Sequence, residues 1–106
     1  MRSREVHWAD LPPPYGRRPV CVLTRNAALP VLKGVTVAPI TTIIREIASE
    51  VPVGRDEGLA HQSVINCDNL ITISGRRIDT EPVGTLSYAK CQQLDRALRF
   101  SLAIRG

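Results

Sequence analysis

Gly16-Arg17-Arg18-Pro19-Val20-Cys21-Val22-Leu23-Thr24-Arg25 sets two arginines directly before an apolar run. A short run rich in β-branched residues is predicted to be a strand buried on both faces. Pro19 lacks the amide donor that a central strand needs, which assigns it to the first position of that strand. Arg18 then stands where the chain enters the core. An unpaired guanidinium is costly to bury, so Arg18 is expected to point out of the mouth of the domain. A fixed guanidinium there suits an anion, above all a phosphate. The plainer reading of this stretch alone is an ordinary surface arginine marking a strand end.

On the N-terminal side, residues 5–11 alternate as a first strand, with Val6, Trp8 and Leu11 as its apolar members. Pro12-Pro13-Pro14-Tyr15-Gly16 breaks it and makes a stiff, exposed loop. The second strand, residues 18–24, follows at once, so the two should be antiparallel neighbours. On the C-terminal side, residues 25–33 read as a loop with one helical turn. Gly34 opens a third strand, 35–42, in which Pro39 implies an edge or a bulge. Further strands are predicted at 49–53, 63–67, 70–73 and 83–86. Ser87 suits an N-cap, and Cys91, Leu94, Ala97, Leu98, Ser101 and Leu102 follow at helical spacing. These signals predict a mainly β fold, a small β-barrel closed by a C-terminal helix, because the connections are too short and proline-rich for βαβ crossovers.

The length of 106 residues suits one domain, 1–106, with one small core. Aromatic residues are only 4% of the chain, so Val, Ile, Leu and Ala must fill that core. The net charge is +4, and 12 of the 14 basic residues are arginine. That bias favours bidentate recognition of phosphate or carboxylate and is a mild signal for nucleic acid. Cys21, Cys67 and Cys91 lack CxxC or metal-ligand spacing and read as buried hydrophobes in a reducing compartment. No metal and no cofactor are expected. The first residues carry no apolar leader core and no run approaches membrane-spanning length, so a cytoplasmic protein that does not enter a membrane is expected.

Four features compete as chemistry. Arg18 at a strand entrance is the first. Thr41-Thr42 is the second: β-propensity alone explains threonines in a strand, but Thr41 follows a proline at a strand end, where a hydroxyl can face a ligand. Asn66-Cys67-Asp68-Asn69 is the third, either an Asx-type turn or a carboxylate and amides lining a cleft. The fourth is His7 with His61 as an acid–base pair, for which no spacing logic exists. There is no GxSxG, P-loop or GxGxxG sequence.

Taken in order, the segments resemble the MazF/PemK family of toxin endoribonucleases. They are Arg4-Glu5-Val6-His7-Trp8-Ala9-Asp10-Leu11-Pro12, the opening stretch 16–25, Val35-Thr36-Val37-Ala38-Pro39-Ile40-Thr41-Thr42-Ile43-Ile44-Arg45, Ser49-Glu50-Val51-Pro52-Val53, Gly58-Leu59, Ser63-Val64-Ile65-Asn66-Cys67-Asp68-Asn69-Leu70, Val83-Gly84-Thr85-Leu86-Ser87 and Leu94-Asp95-Arg96-Ala97-Leu98. The resemblance implies an SH3-like barrel of the MazF/CcdB type that forms a homodimer through the 18–24 strand and the C-terminal helix. It implies metal-independent, sequence-selective cleavage of single-stranded RNA to 2′,3′-cyclic phosphate and 5′-hydroxyl ends, restrained by a cognate antitoxin.

The residues the family ties to cleavage fall on Arg18 and Thr41. Attack of a 2′-hydroxyl on its own phosphate adds charge to the phosphoryl oxygens, and a guanidinium with a hydroxyl donor can stabilise it. The arginine can also hand a proton to the leaving 5′-oxygen, but a free guanidinium is a poor acid, so its electrostatic role leads. Arg17, Thr42, Arg45, Asn66, Asp68 and Asn69 are the expected substrate contacts, with Asp68 also a candidate base.

The chain departs from the family pattern at several places. Arg4 stands where glycine is usual, His7 where an aromatic is usual and Gln62 where an acid is usual. Asn66 stands where some members have arginine. Arg76-Arg77 is displaced upstream of Thr80-Glu81-Pro82, where a basic pair is common, and the 12–17 loop is short, which should alter substrate selection. Two other readings share the fold: a non-catalytic module that poisons a protein target, as in the CcdB branch, and an inactive homologue that occupies an antitoxin.

Overall fold

The computed structural model describes residues 1–105. Its elements are β1 (Glu5–Leu11), β2 (Gly16–Val22), β3 (Gly34–Thr41), β4 (Glu50–Val53), β5 (Ser63–Asn66), β6 (Ile71–Ser74), β7 (Gly84–Thr85) and one helix, α1 (Tyr88–Ser101), with short 3₁₀ turns at Arg55–Glu57 and Gly75–Arg77. The sheet runs β4-β5-β3-β2-β1-β7, and β6 pairs with the outer half of β3. It is a mostly β half-barrel with a C-terminal helix, as the sequence predicted.

β1 and β2 are the expected antiparallel pair, in register Val6↔Cys21 to Leu11↔Gly16. The opening strand is shifted from its predicted bounds, beginning at Gly16 and ending at Val22. Pro19 is therefore its fourth residue, opposite Trp8. It is tolerated because β3 joins β2 only from Val20↔Pro39 onward, so Pro19 lies where β2 has a single neighbour. Pro39 is neither on an edge strand nor at a strand end. Along one side of β3, Gly34 to Val37 pair with β6 and Ile40 and Thr41 with β5, so Pro39 sits at the break where β3 changes partners. That turn in the sheet carries Thr41 to the exit of β3.

Strand alternation splits the interior into two clusters. Val6, Cys21, Ala38, Ile40, Val51, Ile65, Leu94 and Ala97 belong to one, under α1. Ala9, Leu11, Val20, Val22, Val35, Val37, Ile73 and Ile78 form the other. Neighbours along β2 and β3 go to opposite clusters, which is why these strands read as continuous apolar runs. Cys21 and Cys67 are buried and all three cysteines are free thiols. Burial pushes the Cys21 thiol up to about 12 and the Cys67 thiol up to about 11, so both are inert fillers of the core.

Ser87 caps α1 by accepting a hydrogen bond from the Lys90 N–H at 3.2 Å. Leu94 and Ala97 lie on the buried face, as expected. Leu102 does not: the helix ends at Ser101, and Leu102 is 54% exposed. β2 offers little to a dimer interface, since β1 and β3 flank it and Val20, Cys21 and Val22 are fully covered. Exposed Tyr88, Phe100 and Leu102 leave the helix region available.

Gly58 positions the 58–63 segment. Its φ is +86°, and a Cβ there would meet the Val83 carbonyl oxygen at 2.2 Å. Both the left-handed backbone and the contact with the β7 approach require glycine. Gly58→Ala is expected to destabilise the fold by about 3 kcal/mol, read as a lower urea midpoint. Arg4 also has a positive φ, 69°, which is the physical reason a glycine suits this position. Its guanidinium offsets the strain through Asp95 at 2.9 Å and the Leu23 carbonyl at 3.2 Å.

Candidate active site

Arg18 and Thr41 line the same two clefts. Arg18 is half-buried near the open end of β2, and its Nε donates to the Tyr15 carbonyl at 3.0 Å. Its guanidinium carbon lies 5.4 Å from the Tyr15 ring centre. The proline-rich loop thus fixes the fork from one side, while neither terminal nitrogen has a hydrogen-bond partner among the described residues. Thr41 is the last residue of β3, paired with Val64. Its Oγ1 accepts from the Ile43 N–H at 3.2 Å, so the hydroxyl proton stays free to donate.

Two clefts open on either side of this pair, and Arg18, Thr41 and Ile43 line both. The first is about 490 Å³ and is walled by Trp8, Arg17, Thr42, His61 and Ser63. The second is about 270 Å³, with Tyr15, Arg45, Glu50, Asn66 and Asn69 in its wall. A phosphate at the shared rim would therefore have a recess for the chain on each side. Among the described residues no group of three or more His, Cys, Asp and Glu side chains is placed to hold a metal ion.

The two adjacent arginines have different surroundings. Arg17 reaches Asp10 at 3.2 Å and Asp79 at 3.3 Å, and its guanidinium carbon is 5.8 Å from the Trp8 ring centre. Hydrogen bonds to Asp79 first and Asp10 second raise the Arg17 pKa above its ordinary value. Arg17 is paired with two carboxylates, whereas Arg18 keeps its terminal donors unpaired among the described residues. Arg45, Asn66 and Asn69 share the second cleft, and Thr42 lines the first. The loop after β3 is shaped by Glu50, whose carboxylate accepts from the Arg45 and Glu46 N–H groups at 2.9 and 3.1 Å.

Asp68 lines neither cleft. It accepts from the Ser49 hydroxyl at 2.5 Å and lies 2.8 Å from the Ser101 hydroxyl at the end of α1. Asn66 closes the Asx turn through its Oδ1, which accepts from the Asp68 N–H at 2.9 Å. Asp68 therefore joins the 66–69 turn to the helix. His7 is fully buried, with Nδ1 at 2.7 Å from the Asp79 carbonyl and Nε2 at 2.9 Å from Glu5. It is structural, so the His7–His61 pair does not form. Sequence reading missed Tyr15, which holds Arg18, and Trp8, which is 41% exposed on the cleft wall. The signal for Trp8 was a large aromatic beside Arg17 in the paired strand.

A family model described as a PemK-like, MazF-like toxin of type II toxin-antitoxin systems matches residues 2–102. The chain belongs to this family. Endoribonuclease MazF3 of Mycobacterium tuberculosis is 50% identical over 70 residues, covering 66% of this chain and 65% of that protein. The match therefore spans just under two thirds of that relative's length. The solved structure of Mycobacterium tuberculosis toxin MazF-mt6 superposes with a TM-score of 0.90 at 38% identity, covering 97% of this chain and 100% of that one. A mycobacterial endoribonuclease in complex with its cognate antitoxin shares the fold, with a TM-score of 0.87 at 24% identity over 100% and 98% of the two chains. The half-barrel and its helix are the PemK/MazF-like fold.

Three carboxylates in this PemK/MazF-like chain tie stability to pH. Hydrogen bonds from Ser49 first and Ser101 second hold Asp68 below the usual carboxylate range, and the bond from Arg17 does so for Asp79. At Glu5, partial burial works upward, but the His7 and Arg2 hydrogen bonds and attraction to His7 prevail and lower it. Each folded pKa lies below its unfolded value, so the unfolded chain binds protons first as pH falls. The stabilisation is full above the ordinary carboxylate range, about pH 4, and is lost as pH falls through the folded values. A melting series from pH 7 to 3 should stay flat and then drop. In Asp68→Asn the melting temperature should start lower at pH 7 and fall less steeply.

Proposed function

We propose that this chain is the toxin of a type II toxin–antitoxin pair and a metal-independent, sequence-selective endoribonuclease acting on single-stranded RNA in the cytoplasm. It works as a homodimer and is restrained by a cognate antitoxin. The observation that carries this reading is the shared rim of the two clefts. Arg18, with its terminal nitrogens unpaired among the described residues, and Thr41, with its hydroxyl proton free, line both clefts.

RNA enters as a single strand with its scissile phosphate at this rim and its flanking nucleotides in the two recesses. The 2′-hydroxyl oxygen attacks its own phosphorus, and negative charge grows on the non-bridging oxygens. Arg18 offers charge-assisted donors to one of them and Thr41 donates to another, stabilising the transition state more than the ground state. The P–O5′ bond breaks, leaving a 2′,3′-cyclic phosphate and a 5′-hydroxyl. Thr42, Arg45, Asn66 and Asn69 hold the flanking nucleotides. Arg17 adds sequence-independent attraction, weakened by its two carboxylates.

The test is incubation of the purified protein with a long single-stranded RNA in EDTA. Discrete cuts are the expected result, and mapping their new 5′ ends gives the recognition sequence. Intact RNA across a panel of sequences would contradict the proposal and leave the protein-target or antitoxin-binding readings.

A further inference from the structure

Arg18 and Thr41 can stabilise charge, but neither accepts a proton near neutral pH. The 2′-hydroxyl must still lose one. We propose that His61 is the group that takes it, acting as general base from the wall that faces the Arg18–Thr41 rim; this rests on the ribonuclease reading above.

Several observations place it there. His61 is exposed and lines the first cleft together with Arg18, Thr41 and Thr42. It is the one imidazole among the described residues that does so, His7 being buried with both ring nitrogens occupied. The His61 ring has no hydrogen-bond partner among the described residues, while its backbone carbonyl accepts from the Ser63 hydroxyl at 2.9 Å. The ring is thus left unengaged while its main chain is pinned. The segment is held at its start by the Gly58 turn, whose Cα packs against the Val83 carbonyl. At its end, β5 pairs with both Thr41 and β4. His61 therefore has a fixed stem beside the strand that carries Thr41.

The surrounding charges are mixed. Arg17 and Arg18 face the cleft from β2. On its other side His61 borders a hollow of about 520 Å³ with Arg55, Asp56, Glu57 and Lys90 in its wall. The Glu57 carboxylate is occupied by the Gly54 N–H at 2.7 Å, and Lys90 is bonded to the Pro52 carbonyl. Neither is available to the reacting atoms. Imidazole is the side chain that ordinarily exchanges a proton between about pH 5 and 8, which matches the need for a base at neutral pH.

In the step itself, the 2′-oxygen bonds to phosphorus as its proton passes to the neutral His61 ring. The P–O5′ bond breaks, and the 5′-oxygen takes a proton from water. The imidazolium then returns its proton to solvent, so no proton or electron is left over.

The experiment is the pH profile of single-turnover cleavage in EDTA for the parent, His61→Gln and His61→Ala, with and without added imidazole. The parent should show an acid limb in which the rate rises tenfold per pH unit. In His61→Gln the rate at neutral pH should fall by about 10²-fold and that limb should vanish. Added imidazole should restore part of the His61→Ala rate without changing the parent. The exposed position predicts an unchanged melting temperature in both variants. A His61→Gln protein that keeps the parent's rate and acid limb would overturn the assignment while leaving the ribonuclease reading intact. A parent that cuts no RNA would overturn both.

Discussion

Arg18→Ala is expected to lower single-turnover RNA cleavage by about 10³-fold, at the upper end of what loss of one preorganised donor group costs. The size follows from what the side chain does. Its Nε is committed to the Tyr15 carbonyl and its guanidinium carbon sits over the Tyr15 ring, so the side chain is held while its terminal nitrogens stay unpaired among the described residues. Among the described residues no other cation lines both clefts. Arg17 is bound to Asp10 and Asp79, and Arg45 lines only the second cleft. Arg18→Lys keeps the charge but loses both the fork and the Tyr15 bond, so it should recover less than a tenth of the parent rate. Stability should fall by only about 1 kcal/mol, the worth of one hydrogen bond and one ring contact. A melting curve beside the rate measurement separates lost chemistry from lost fold. An Arg18→Ala protein cutting at the parent rate would remove Arg18 from the mechanism.

Thr41→Val is expected to lower the same rate by about 10²-fold. Valine keeps the shape and β-branching of threonine, so the pairing with Val64 and the end of β3 survive. What is lost is one hydroxyl donor, together with the acceptor for the Ile43 N–H. That second loss should cost about 1 kcal/mol of stability at most, since the freed amide is at an exposed position. Thr41→Ser restores the donor and should return most of the activity. Equal rates for the valine and serine variants would show that the hydroxyl takes no part. Because Arg18 and Thr41 serve one developing charge, the double variant should be less impaired than the product of the two single losses.

Much of the fold was legible because the inner parts of β2 and β3, and all of β5, are buried on both faces. Continuous apolar runs such as Val20-Cys21-Val22 and Val37-Ala38-Pro39-Ile40 identify strands without any knowledge of their partners. The role of Pro39 was only half legible. A proline in a strand signals a disturbance, but that β3 changes partners there, from β6 to β5, depends on pairing across distant sequence. Pro19 misled for the same reason: the one-sided stretch of β2 is set by where β3 begins to pair.

At the candidate site, Arg18 drew notice as an arginine beside a proline and Thr41 as the end of a proline-bearing strand, and only the family resemblance joined them into a pair. The proline-rich loop gave no sign that Tyr15 would supply a carbonyl and a ring to Arg18. Asp68 could not be placed from its neighbours, since its partners Ser49 and Ser101 are remote in sequence. His61 looked like a loop histidine, and only the fold brings its segment against the cleft.

RNA cleavage at the Arg18–Thr41 rim proceeds, we propose, by attack of the substrate's own 2′-hydroxyl. This is tested most directly by giving the protein, in EDTA, an RNA that it cuts and the same RNA with a single 2′-deoxyribose on the 5′ side of the cut, and analysing the product ends. A 2′,3′-cyclic phosphate and a 5′-hydroxyl are expected from the first RNA, and no cut at that position in the second. Cleavage of the deoxy-substituted position, or products bearing a 5′-phosphate, would contradict it.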